Sequence, residues 1–283
     1  MTLHHHKARI SHRKVNIRAF GDLQMGDPGF RKDLWQRWKR EALEDSTSLI
    51  IGMGDYSNSF RPTIDKKIQH ALVEDPEAYN EFDLLVMKEM QGIAEELKPF
   101  KHRIIGLHSG HHNHKMMNGG NTDQYLCQLL GVKYLGFVAL TRLSIQRSKG
   151  STYVINIFST HGCGGSSLVN SDLANLERKI IPYWDCDLFL RGHSTKVFVF
   201  DAHPLNYLSF SNSTGLLSIK KHSRLGVNTG GFMEGYTDGN ESYVEQKNMP
   251  PCALGWAVVE VHFCNRKSGS SGELEITGRT VTG

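Results

Sequence analysis

No stretch of this 283-residue chain is apolar for long enough to span a bilayer. The N-terminus has no apolar segment of the kind that opens a secretory signal. A cytoplasmic protein is therefore expected. Cysteine is scarce: Cys127, Cys163, Cys186, Cys252 and Cys264 are odd in number and contain no C-x-x-C pair. That argues against a disulfide framework and against a thiolate zinc site, and for free thiols. Net charge is small too. The formal net charge of +4 is too small to announce a nucleic-acid binder, though it does not oppose an anionic substrate. There is no internal repeat and no linker. With 39% hydrophobic and 22% charged residues, the composition is that of an ordinary globular chain with a sizeable core.

Histidine is what the chain has in quantity, with fifteen. Four fall in MTLHHHKARISHRK, which reads as a flexible basic tail over residues 1–14 with no assigned function. Residues 15–283 read as one domain. VNIRAF (15–20), SLIIGM (48–53) and HRIIGL (102–107) read as strands. Residues 30–45, 76–98 and 121–131 read as helices, the last with Gly131 past its end. The pattern then changes. FVALTRLSIQRS and STYVINIFST form an antiparallel pair around Lys149-Gly150. SDLANLERKI is a capped helix, and DLFLRG (187–192) and KVFVFDA (196–202) are strands. GWAVVEVHF and ELEITGRTV make a terminal hairpin across the polar loop NRKSGSSG. Strand-helix alternation followed by strands predicts an α/β domain with two packed sheets and outer helices.

Five turns follow apolar strands: GDLQ (21–24), GDY (54–56), SGHHNH (109–114), THG (160–162) and RGHS (191–194). Ligands of α/β sheets sit at the carboxyl ends of strands. Carboxylates, imidazoles and amide oxygens placed there repeatedly can converge, and these are donors for Mn, Fe or Zn. Glycine beside each donor permits a sharp turn. Each turn taken singly is an ordinary turn, cap or packed histidine. The ordered set is the signal.

This set resembles the calcineurin-like metallophosphoesterases, whose pattern is D-x-H, G-D, G-N-H, H and G-H-x-H. The likeness runs over nearly the whole chain. It is nearest a phage and bacterial branch through GGNTDQYLCQLLGVKYLG and NTGGFMEGYTDGNESYVEQKNMPPCALGWAVVEV. The resemblance implies a four-layer α/β/β/α sandwich with two mixed β-sheets. It also implies a pair of divalent ions that clamp a phosphate ester and activate water. Asp55 then matches the carboxylate that bridges the ions, and Asp22 a ligand of the first. His161 and His193 match ligands of the second, and His112 the acid that helps the leaving oxygen.

Three positions depart from the pattern. Gln24 stands where a histidine holds the first ion, although its amide oxygen can ligate. His111 stands where an asparagine holds the second. Thr195 stands where the last histidine is expected, and a neutral hydroxyl is a poor ligand. His203 is one substitute, and a surface histidine is the other reading of it. In the third turn, Asn113-His114 offers an alternative frame to His111-His112. The resemblance thus implies one tight site (Asp55, His111, His161, His193) beside a weak one suited to Mn or Mg. The expected activity is hydrolysis of a phosphodiester in nucleic acid or a nucleotide. A weakened or inactive scaffold with a binding or structural role, phage-associated, is the alternative, and a phosphomonoesterase differs only in pocket shape. Near these turns, Cys163 lacks a matched base, and Gly164, Gly165 and the serines after them read as a rim loop. Trp35 and Trp38 read as packing.

Overall fold

A computed structural model of the chain describes residues 1–58, 75–147, 151–164, 169–239, 241–264 and 274–283. Ten strands follow one hydrogen-bonded path: β1 (Thr2–Arg9), β6 (Val138–Gln146), β7 (Thr152–Thr160), β8 (Leu188–Arg191), β10 (Leu216–Gly231), β11 (Gly255–Phe263), β2 (Lys14–Phe20), β3 (Ser48–Gly52), β4 (Ile104–His108) and β5 (Tyr134–Gly136). β9 (Val197–Ser211) lies beside β10, and β12 (Leu274–Thr282) beside β11. The link between β10 and β11 is only Gly230↔Trp256 and Gly231↔Gly255. The path therefore divides into two sheets, both mixed. β2, β3, β4 and β5 are parallel, and β11 and β12 run against their neighbours. In the other sheet β7, β8 and β10 are parallel.

The period of two along each strand divides the core. On β2, Val15, Ile17 and Ala19 join Leu49, Ile51 and Ile105 in a cluster that also holds Leu143, Ile155, Leu188 and Val227 of the second sheet. Phe20 faces the other way. It packs with Trp35 and Trp38 of α1 (Lys32–Glu44), Met90 and Ile93 of α2 (Pro76–Leu97), and Leu126 of α3 (Thr122–Leu130). Both tryptophans are buried, as their helical spacing predicts. Leu176 of α4 (Val169–Lys179) packs on Phe158 and Phe189 of the second sheet. Each predicted helix is present within a few residues. α3 carries a full capping box from Asn121 to Gln124, and Gly131 closes it at φ 67°. Among the described residues, no helix is long and apolar enough to cross a membrane.

Two expectations are corrected. The residue 1–14 tail is not free: Thr2–Arg9 pairs in parallel with β6 along its length, and His4 Nε2 reaches Ile105 O at 3.1 Å. His4, His6 and Ala8 are half-buried while their neighbours are exposed. A run of identical histidines hides the alternation that would have marked a strand. The strand expected at 196–202 continues to Ser211 and turns back as β10, which sequence did not reveal. Pro204 within it is tolerated because β9 is an edge strand among the described residues. The expected hairpins β6–β7 and β11–β12 form, while Lys149-Gly150 and the loop NRKSGSSG lie outside the described residues, as do Gly165 and the serines after it.

Asp45, just past α1, ties that helix to β2 and β3. Its carboxylate accepts from Asn16 Nδ2 (2.6 Å), Thr47 N (3.0 Å), Thr47 Oγ1 (2.6 Å) and Ser48 Oγ (2.7 Å), and pairs with Arg18. Burial acts to raise its pKa, but these donors more than offset that and hold it well below the carboxylate range. Asp45→Ala is expected to cost about 2–3 kcal/mol at neutral pH in a urea melt. Because the folded pKa is the depressed one, the wild-type advantage is present above about pH 4 and shrinks as pH falls further.

Candidate metal centre

The five predicted turns lie at the carboxyl ends of β2, β3, β4, β7 and β8. The first two are zipped together: Asp22 N donates to Gly54 O (3.0 Å) and Gln24 N to Asp55 O (3.0 Å). The second sheet meets them through His193 N, which donates to Asp22 Oδ2 at 3.0 Å. Backbone strain gathers here. Of six non-glycine residues at positive φ among the described residues, four are Asp22 (48°), Gln24 (45°), Asp55 (54°) and His193 (66°). Such conformations are uncommon and persist where the surroundings over-determine them, as at ligand clamps.

One donor atom each from Asp55, His111, His161 and His193 lie within 4.8 Å of one another. Three imidazoles and a carboxylate suit a divalent transition metal. The local bonding fits such an ion. His161 Nδ1–H donates to Met53 O at 2.7 Å. That fixes the ring and leaves the buried Nε2 without a well-formed hydrogen bond, facing Asp55 Oδ2 at 3.4 Å. An imidazole oriented by a carbonyl through one nitrogen, with the other bare, is the usual state of a metal-binding histidine. Asp55 Oδ1 accepts from His112 N at 2.9 Å. His111 Nδ1 and His193 Nδ1 face each other at 3.2 Å.

Titration follows this crowding. Burial lowers His193 to about 4 and lowers His111. Burial would also lower His161, but the Asp55 carboxylate raises it to about 9. Burial would raise Asp55, yet His161 holds it well below its ordinary range. Burial pushes Asp22 up to about 7, with the charge of Asp55 adding to the effect. Without metal, Asp55 and His161 form an ion pair, and an ion bound there takes the place of the imidazole proton.

The remaining predicted residues separate. Gln24 is buried, and its Oε1 has no hydrogen-bond partner, so an amide oxygen is left for a cation. The His112 ring lies at the edge of the cluster, with Nε2 4.0 Å from Asp55 Oδ2. Asn113 caps its own turn by donating to Gly110 O at 2.5 Å. His114 is buried against Asp83 of α2 at 2.6 Å, and the clustered donors include His111 and neither residue of the Asn113-His114 frame. The Thr195 hydroxyl lies 3.0 Å from Cys252 Sγ. His203 is exposed on β9 and is not among the clustered donors. Cys163 is exposed.

Sequence reasoning missed the residues that hold the turns. Asp123 of α3 accepts from Ser109 Oγ (2.9 Å) and Gly110 N (3.0 Å), and burial raises it to about 7. Asp172 of α4 is buried, and it accepts from Arg191 (2.8 Å), Ser194 Oγ (2.9 Å) and Lys196 (3.2 Å). Arg191 also donates to Asn228 Oδ1 and Cys163 O, joining the fourth and fifth turns. Asp172 is a helix-opening residue in sequence, and nothing local separates that role from burial beneath a site. His108 spans the two sheets, from Gly136 O (2.8 Å) to Ser159 Oγ (2.7 Å), and burial lowers it to about 4.

No family model and no curated protein matches the chain. Solved structures do. Vacuolar protein sorting 29 from Cryptosporidium parvum aligns at 14% identity and TM-score 0.39, covering 95% of this chain and 100% of that one. The Haemophilus influenzae NAD nucleotidase aligns at 10% identity and TM-score 0.37, over 95% of this chain but 50% of its own length. The calcineurin-like phosphoesterase YfkN from Bacillus subtilis aligns at 9% identity and TM-score 0.35, over 95% and 90%. At these values the likenesses lend the chain no activity.

Proposed function

We propose that the chain is a metal-dependent phosphoesterase of the calcineurin-like type, acting on a phosphodiester. The observation that carries this reading is the convergence of Asp55, His111, His161 and His193 from both sheets on one point. Three core clusters, one under α1–α3, one holding residues of both sheets and one under α4, support a four-layer α/β/β/α arrangement. Asp55, His111, His161 and His193 would hold the tighter ion, while Asp22 and Gln24, sharing Asp55, would hold the weaker one. Divalent ions, Mn first among them, supply Lewis acidity and lower the pKa of water at such a centre. The chain itself does the rest. Asp55 is aimed by its left-handed backbone and by the amide of His112. His161 is held in one tautomer by Met53 O. His112, at the rim, is placed to pass a proton to the leaving oxygen. The slight positive charge suits a phosphodiester in a nucleotide or nucleic acid, and a cytoplasmic setting, in a bacterial host or a phage particle, fits the motif pattern.

A non-catalytic scaffold is the second reading. The observation favouring it is Thr195, whose hydroxyl is engaged with Cys252 where a further ligand is expected. Hydrolysis of bis-p-nitrophenyl phosphate with Mn separates the two. Turnover that needs the metal and disappears with Asp55→Ala is the expected result. No turnover with Mn, Fe, Zn or Mg favours the scaffold.

A further inference from the structure

The outer half of the β9–β10 hairpin is a two-stranded ribbon that leaves the body of the protein. At its base it is pinned. His222 pairs with Asp187 at 2.6 Å, and Arg224 donates to His203 O and Ile181 O. Beyond that, Leu205 to His222 pair only with each other, from Leu205↔His222 to Ser211↔Leu216. β8 pairs β10 only from Leu225 to Asn228, so among the described residues both edges of the ribbon are open. A lone two-stranded ribbon is marginal in water unless its apolar face is packed against something.

The register sorts the side chains. Residues directly opposite share a face. One face carries Tyr207 with Lys220, Ser209 with Ser218 and Ser211 with Leu216. The other carries Leu208 with Ile219 and Phe210 with Leu217, bounded at the base by Asn206 and Lys221. These four apolar side chains are 58–74% exposed and contiguous. Such a patch on a monomer marks a contact surface.

We propose that this face is a homodimer interface, in which two ribbons stack antiparallel about a two-fold axis. The apolar pairs form a compact block that is self-complementary under that symmetry, the commonest one in oligomers. Four side chains offering on the order of 120 Å² each, doubled by the copy, bury ~1,000 Å², and backbone and rim atoms bring this to the ~1,200 Å² of the smallest stable pairs. The charges agree with the arrangement. Lys221 is the one charged residue on this face and sits at its base, so antiparallel stacking leaves it in water beyond the partner's tip. Because β10 runs from the tip at Leu216 to Gly231 beside Asp22, the interface lies at the far end from the metal centre and leaves it open. The proposal is independent of the proposed activity.

Sedimentation equilibrium of the full chain from low to high micromolar concentration tests it. Wild type is expected at twice the monomer mass. Leu208→Ser with Ile219→Ser is expected to weaken the dimer by on the order of 100-fold, with its thermal melt retained. Ser209→Lys, on the opposite face, is expected to remain dimeric. A wild type that stays monomeric overturns the proposal, as does a dimer unchanged by the double substitution. A monomeric wild type that co-sediments with phosphatidylserine vesicles overturns it in favour of a membrane surface.

Discussion

Asp55→Asn is expected to lower metal-dependent phosphodiester hydrolysis on the order of a thousandfold. Loss of a group that merely orients a ligand costs 10–100-fold, and Asp55 is proposed as a ligand shared by both ions. Calorimetric Mn titration should show the tight site lost together with the activity. Activity retained while one site disappears would show that Asp55 serves only one ion. The same variant has a signature without metal. His161 is raised to about 9 by Asp55, so that part of the pair's stabilisation is present below pH 6.5 and fades as pH rises through about 9. Asp55 is depressed, so its part is present above pH 3.8 and fades as pH falls below that. Metal-free wild type should therefore melt above Asp55→Asn between about pH 4 and pH 9, with the gap closing on either side. The gap should stay under the ~3–5 kcal/mol of a stranded buried charge, because His161 can release its proton once the carboxylate is gone. Equal melting across that window would show that the pair is not formed.

Gly110→Ala is expected to be nearly as damaging, although Gly110 offers no donor. A Cβ there would lie 2.0 Å from Asp55 Oδ1 and 2.2 Å from Asp55 N. The backbone nitrogen cannot swing aside, so either the 109–112 turn or Asp55 must move. Displacement of about 1 Å in a catalytic constellation can cost on the order of 100-fold in rate. Forced overpacking adds about 1–3 kcal/mol of instability. Gly92→Ala is the contrasting control. That glycine lies in α2, where an added Cβ meets nothing within 4 Å, and helix propensity should stabilise the variant by about 0.5–1 kcal/mol. Gly110→Ala matching wild type in both metal titration and melt would mean that the third turn is not packed on Asp55 as described.

The turns were legible because glycine next to a carboxylate or imidazole after an apolar run is a local pattern. Asp22, Asp55, His111, His161 and His193 could all be named from it. Gln24 and Thr195 could be named only as departures, and their fates were not local. Gln24 keeps a bare buried oxygen, whereas Thr195 faces Cys252, a residue 57 positions away. The supports were harder. Asp123 and Asp172 lie in helical stretches where an acidic residue in the first turn is expected for the helix alone. Only packing reveals that they hold Gly110 and Arg191. The choice between the His111-His112 and Asn113-His114 frames also awaited tertiary packing, because Asp83 of α2 claims His114 and Gly110 O claims Asn113, while His111 joins the cluster.

By itself, the sequence determined most of the segments that form strands, and that metal-donor side chains stand at the ends of five of them. These follow from period, turn chemistry and residue type, all properties of neighbours along the chain. Tertiary structure alone decided that the five ends share one edge, that the histidine tail is a strand, and that β10 exists and projects as a ribbon. The physical reason is the same in each case. Strand register and burial are set by partners outside the local stretch, as when Thr2–Arg9 lies along Ala139–Gln146, and a side chain's pKa or bare nitrogen depends on what that pairing brings beside it.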